Sequence, residues 1–449
     1  MRDDCPTKNY IRHHLYLIYD NPSHMDMAES SILVALARRI LQDSETIARA
    51  GDREEEVKEA RSDLIEAAQE LQLSVLSAPE LLEYHQVNYQ YLASLGWLAQ
   101  FDVFSHVPLS FEPIAYTDLA TRAAIPLAKL RSIARMAITG GIFMETSSTH
   151  IAHSRLSASF ATDSSLTDWI RFMTKYAAPM AGYLAEATVR WGETTDIHET
   201  AFNAAFSTDL QWFDYVKSNA DEGLPELFAS YMRSMGRLES VKLQHLIDGF
   251  DWAGLGDAHV VDAGGSTAQA SAALAGVFPR LHFTVEDLPE VIAAGPSALA
   301  SLAKNDVATR IRFIAHDFFA PRTGGDNNSE PDIYLLRRVL HDWPDKQACT
   351  ILQQLAVALY ESSNTRARII IMDTILPGSR VLGRVQEARL RVRDLTMAEY
   401  FNSKERELAE WKQLFASTQP SLALKSWKQP AGSALAVMEV VLNERVTVM

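Results

Sequence analysis

The residues able to do chemistry fall in clusters. Val260-Val261-Asp262-Ala263-Gly264-Gly265-Ser266-Thr267-Ala268-Gln269 is an apolar run ending in an acid and two glycines, and Phe283-Thr284-Val285-Glu286-Asp287-Leu288-Pro289 follows roughly twenty residues later. A buried parallel strand, a tight glycine turn and an acid closing the next strand make a nucleotide-type pocket. A dinucleotide fingerprint would need glycine at Ser266 and Ala268, so NAD is disfavoured and an adenosyl ligand, S-adenosylmethionine, is expected. Asp262, Gly264 and Gly265 form the turn. Asp287, with Leu288 beside it, can accept both ribose hydroxyls. Asp317 is placed for the adenine amino group, as a buried acid needing a donor, with Phe318 or Phe319 against the ring. A further cluster begins in "YLLRRVLHDWPD". There His341 ends an apolar strand, where a neutral imidazole could take a proton from a hydroxyl, and Arg337 can flank the cofactor. Asp373 closes the next strand and Glu405 lies equally far beyond it. An acid beside an imidazole fixes its tautomer and stabilises its charged form.

The elements that must position these residues follow from periodicity. Short β-branched runs alternate with helical segments from Leu255 onward, which predicts an α/β doubly wound parallel sheet with ligands at the carboxyl ends of its strands. From about residue 26 to 100 the pattern is helical, with Ile32, Leu33, Leu36 and Ile40 in one rhythm and Leu64, Ala67, Ala68 and Leu71 in another. The Arg53-Glu54-Glu55-Glu56 run between them reads as a solvated face. Between Ile114 and Ser157, helical patterns precede "IFMETSSTHIAHS", which alternates like a hairpin and so suggests a winged helix. From about residue 162 to 249 the chain is helical and rich in aromatic residues, most of them core and a minority lining a pocket for a flat organic substrate. Gly324 to Ser329 reads as a surface loop.

Composition bounds the function classes. The chain has 449 residues, 47% of them hydrophobic, enough for two or three domains with substantial cores. A formal net charge of −15 argues against nucleic acid or an anionic membrane as partner, so the winged helix is expected to serve dimerisation. Cys5 and Cys349 make neither a disulfide framework nor a zinc set, and no metal motif is present. No apolar run approaches about eighteen residues and the N-terminus lacks a secretory pattern. These features predict a cytoplasmic protein.

"VVDAGGST", "EDLPEV", "AHDFF", "LLRRVLHDWPD", "IIIMDTILPG" and "RVRDLTMAEYFNSKERELAEWKQLF" together resemble the fungal branch of the class I S-adenosylmethionine-dependent O-methyltransferases, akin to plant caffeic-acid-type enzymes. The resemblance covers about residue 117 to the C-terminus. It implies an α-helical and winged-helix dimerisation domain over 1–160, a helical substrate-pocket region over 161–250 and a Rossmann-like catalytic domain over 251–449. It implies a homodimer acting on a small aromatic or polyketide-type secondary metabolite. His341 matches the general base, Asp373 and Glu405 the supporting acids, Asp287 the ribose acid, and Asp317 and Arg337 positions around the adenine. The sequence departs from the family at Ala268, where a third glycine is usual, at Gln269, where fungal relatives carry histidine, and at Asp373, a glutamate in plant enzymes. The Ala268 methyl is expected to crowd the cofactor's methionine tail. Some relatives with this fold are pericyclases, so dehydration or cycloaddition of a polyketide-derived intermediate is the alternative activity.

Overall fold

The computed structural model describes residues 25–302, 305–322, 330–379 and 381–445. Cys5 and the Gly324–Ser329 loop lie outside them. The chain divides into two compact units, one reaching to Tyr91 and including Ser379–Arg391, the other Leu92–Gly378 with Val392 onward.

The first unit is built on helices α1 (Met25–Ala50) and α2 (Glu54–Val75), with most of α3 (Ala78–Gln100). Ile32 and Leu36 meet Ala67 in a small core, with Ile40 and Leu71 against it, as the apolar rhythm required. Ala68 departs from that rhythm and is exposed, because the buried stripe centres on Ala67. Glu54, Glu55 and Glu56 occupy the first turn of α2, where acids complement the helix dipole.

In the second unit, β2 (Met144–Ser147) and β3 (His150–Ala152) form the expected hairpin, joined by β1 (Ile114–Ala115) in the order β1-β3-β2. Helices α4 (Tyr116–Arg122) and α5 (Leu127–Thr139) supply Leu119, Leu130 and Ala134 to the core beside it. Helices α6 (Ser164–Phe172) and α7 (Leu224–Gly236) follow. The aromatic residues of this region are mainly core, since Trp212 contacts Phe172, Tyr176, Phe202, Phe228 and Tyr400. Tyr400 comes from far along the chain. Such packing ties the end of the helix carrying Tyr400 to the aromatic helices within the second unit.

The rest of this unit is mixed α/β. Strands β4 (Ala258–Ala263), β5 (Leu281–Asp287), β6 (Ile311–Ala315), β7 (Ile333–Arg337) and β8 (Arg368–Asp373) pair in parallel. After short β9 (Ile375–Leu376) and β10 (Arg406–Glu407), β11 (Leu422–Lys428) and β12 (Ala436–Leu442) complete the order β11-β12-β8-β7-β4-β5-β6. β12 runs antiparallel to both β8 and β11, so the sheet is mostly rather than wholly parallel. The parallel sheet that the sequence suggested is present over β4–β8, and the β11–β12 hairpin adds an antiparallel edge to it. Ile369, Ile370, Ile371 and Met372 are fully buried on both faces of β8, explaining its unbroken apolar run. Helices α8 (Gln269–Val277), α9 (Asp345–Glu361), α10 (Arg384–Phe401) and α11 (Leu408–Ala416) complete the part used below. Among the described residues no helix is long and apolar enough to cross a membrane.

Candidate active site

The chain steps outward from β4 through β5 to β6, then returns to place β7 on the other side of β4. Such a reversal opens a crevice at the strands' carboxyl ends. The glycine turn lies there. Gly264 has φ +74, and a side chain on it would come within 3.0 Å of Val339 and 3.5 Å of Phe318. A side chain on Gly265 would collide with Asp262 at 2.6 Å and Val285 at 2.9 Å. Both glycines are therefore required by close approach. Ser266 and Ala268 take the left-handed conformation too, with φ 50 and 64. The turn keeps a glycine-like path without glycine at those positions.

Asp287 ends β5 as expected, its Oδ2 accepting from the Ser266 amide at 2.9 Å and its Oδ1 from the Leu288 amide at 2.8 Å. Each oxygen keeps a lone pair for a further donor. Leu288 is itself exposed. Phe318 packs with Phe319 and Trp343, ring centroids 5.1 and 6.0 Å away. Asp317, expected to be buried, is exposed, and its Oδ1 accepts from the Phe319 amide at 2.9 Å. It lies beyond the end of β6 in the connecting turn, where water reaches it. Asp262 lies under the turn and is 1% exposed, its Oδ2 accepting from the Ser271 hydroxyl of α8 at 2.6 Å. Burial pushes its carboxyl up to about 6. Arg337 Nη2 donates to the Val241 carbonyl at 2.9 Å. Burial lowers this guanidinium to about 10, although Asp262 and Asp373 favour its charge.

His341 stands four residues past Arg337, on a single 3-10 turn (Leu340–Asp342), rather than at the strand end itself. Its Nδ1 is 3.0 Å from Glu405 Oε1 and 3.5 Å from Asp373 Oδ1, and its Nε2 is 3.4 Å from Asp342 Oδ1. Burial alone would lower the imidazole, but Asp373, Asp342 and Glu405 together push it up to about 9. Burial raises Asp373 to about 6. Glu405, which makes the direct hydrogen bond, is lowered by His341 despite its own burial. Val339, the residue that a side chain on Gly264 would touch, is two positions before His341, so the triad and the glycine turn border one crevice.

Sequence reasoning missed two parts of this arrangement. Asp342 was visible beside His341, but adjacent residues seldom face each other, and only the 3-10 turn brings its carboxylate to Nε2. Arg406 is fully buried and donates to Asp345 Oδ1, the Leu340 carbonyl and the Trp343 carbonyl, each at 2.8 Å. It clamps the His341 turn to the segment carrying Glu405. The atoms of His341, Asp373 and Glu405 that could ligate a cation lie within 4.8 Å of one another. The Nδ1 that would do so is already held by Glu405.

A family model for the O-methyltransferase domain matches residues 183–419. O-methyltransferase VdtC of Byssochlamys spectabilis is 44% identical over 386 residues, covering 86% of this chain and 87% of that protein. The crystal structure of OxaC in complex with sinefungin and meleagrin aligns with TM-score 0.71 at 21% identity, covering 90% of this chain and 99% of that one. The structure of LepI in complex with SAM aligns with TM-score 0.68 at 22% identity, covering 89% and 100%. At those identities the two solved structures speak for the fold, while the family model and the relative sharing 44% of its residues fix descent: this chain belongs to the O-methyltransferase family.

Proposed function

We propose that this enzyme transfers a methyl group from S-adenosylmethionine to a hydroxyl of a small aromatic or polyketide-type secondary metabolite, with His341 as general base. The observation that carries this reading is the His341 imidazole, held by Glu405 at 3.0 Å through Nδ1 and two residues after Val339, which borders the glycine turn. The turn suits the cofactor because Gly264 and Gly265 keep its backbone bare of side chains and Asp287 offers two oxygens already oriented by backbone amides. S-adenosylmethionine, when bound, supplies an electrophilic methyl group. Asp287 would hold the ribose hydroxyls and Phe318 would cover the base, whereas buried Asp262 braces the turn from beneath. With Nδ1–H donated to Glu405, neutral His341 presents the lone pair of Nε2 to the substrate hydroxyl and takes its proton. Asp373 and Asp342 then stabilise the imidazolium. LepI and OxaC were solved with SAM and with sinefungin, which accords with a cofactor at this crevice.

The reading is tested by mass spectrometry after incubation with methyl-labelled cofactor and a panel of hydroxylated aromatic polyketides. Labelled ether is expected, and His341→Ala should lose about 10²- to 10⁴-fold in turnover with cofactor binding retained. Unlabelled cyclised product, formed equally well with the demethylated cofactor, would overturn it in favour of pericyclic chemistry.

A further inference from the structure

The loop that follows β6 carries Phe318 and Phe319, and both of its ends are tied to the last residues of β5. At the near end the His316 amide donates to the Asp287 carbonyl at 2.9 Å. Within the loop Asp317 accepts from the Phe319 amide through its side chain, at 2.9 Å, and from the Ala320 amide through its carbonyl, at 2.8 Å. Pro321 comes next and has no amide hydrogen to donate. Beyond it the side chain of Arg322 supplies the tether. Its Nη2 reaches both carboxylate oxygens of Glu286, at 2.5 and 2.7 Å, and its guanidinium carbon stands 4.7 Å from the centre of the Tyr334 ring on β7. The two side chains are 14% and 10% exposed, so water and salt screen the pair little. The Glu286 carbonyl, for its part, accepts from the amides of Gly264 at 2.8 Å and Gly265 at 3.2 Å. One residue therefore holds the glycine turn by its main chain and the phenylalanine loop by its side chain. The two meet again across the crevice, where a side chain added to Gly264 would come within 3.5 Å of Phe318 Cε1.

We propose that Arg322 is a positioning residue for the cofactor: by pairing with Glu286 it fixes the Phe318 ring relative to the glycine turn, and so prepares the aromatic face that receives the adenine of S-adenosylmethionine. The inference rests on the reading that places the cofactor in this crevice with Phe318 over the base. A loop held ready keeps the full benefit of covering a flat base, whereas an untethered loop is ordered only on binding, at a cost in affinity. Arginine suits the tether because its charged guanidinium makes strong, directed hydrogen bonds to a carboxylate while resting on an aromatic ring.

The test is calorimetric titration of the full chain with S-adenosylhomocysteine, together with hydrogen exchange of the 316–322 segment in the free protein. Arg322→Gln and Glu286→Gln should each weaken binding about tenfold, the scale of ordering two aromatic side chains, and should speed exchange at the Phe319 and Ala320 amides. The double variant should bind no more weakly than either single one, because both substitutions break the same pair. Arg322→Lys keeps the charge and should recover part of the affinity, which a loop that is merely destabilised would not show. Where Arg322→Gln does not fold, Glu286→Gln and Arg322→Lys read the same affinity. Unchanged binding in the folded variants, losses that add in the double variant, or a loss that Arg322→Lys does not reduce overturns the proposal. Failure of S-adenosylhomocysteine to bind the unmodified protein would instead count against the cofactor reading, since the exchange rates report the tether without it.

Discussion

At the residue scale the chemistry turns on how many carboxylates face one imidazole. Glu405 and Asp373 approach Nδ1, and Asp342 approaches Nε2. Burial opposes the charge, yet the acids win and hold His341 at about 9, above the ordinary value of about 6.5. A base must be neutral, so kcat/KM is expected to rise with pH on a limb lying above the usual histidine range. Glu405→Gln and Asp342→Asn should each move that limb to lower pH, and pH profiles of the three proteins check this. Stability runs the opposite way. A folded value above the unfolded one gives stabilisation that is complete below about pH 6.5 and lost as pH rises through about 9. His341→Gln should therefore cost stability at pH 6 and much less at pH 10.

At the scale of elements, the turn between β4 and α8 shows why Ala268 is tolerated. Its methyl was expected to press on the cofactor. Instead Ala268 is fully buried among apolar residues that include Val260, Leu274 and Val285, on the core side of the turn. Glycine there would relieve a left-handed conformation costing about 1–2 kcal/mol, lose a buried methyl contributing about 0.8 kcal/mol, and add about 0.5–1 kcal/mol of backbone entropy cost at most. These terms nearly cancel. Ala268→Gly is expected to change the melting temperature by no more than a few degrees and to leave the Kd for S-adenosylhomocysteine unchanged, as differential scanning fluorimetry and calorimetry would read. A large gain in affinity would mean that the methyl does reach the ligand.

At the scale of the whole molecule, the first unit carries more apolar surface than its small core uses. Leu82 and Tyr89, seven residues apart and so on one face of α3, are 70% and 57% exposed, and Val75 nearby is 60% exposed. Large exposed apolar side chains sharing a helix face suit an association site, and a closed two-fold pairing is its commonest form. We expect the full chain to be a homodimer through these helices. Light scattering should give twice the chain mass, and Leu82→Glu combined with Tyr89→Glu should give monomers; a fully active monomer of the unsubstituted chain would remove the expectation.

Local pattern was enough where one element decides the outcome. The apolar runs of β4, β7 and β8, the alternation of β2 and β3, and the acid ending β5 are legible because strand burial and turn chemistry act over a few neighbouring residues. Asp373 was legible at the end of its strand and His341 shortly after an apolar strand, and the resemblance placed both with Glu405. Tertiary structure alone decided what depends on distant segments meeting. It put Asp342 on the far nitrogen of His341, buried Arg406 between the His341 turn and the Glu405 segment, left Asp317 in water, and turned β12 antiparallel to β8. Charges and hydrogen bonds between such residues depend on distance and burial, which no local periodicity encodes.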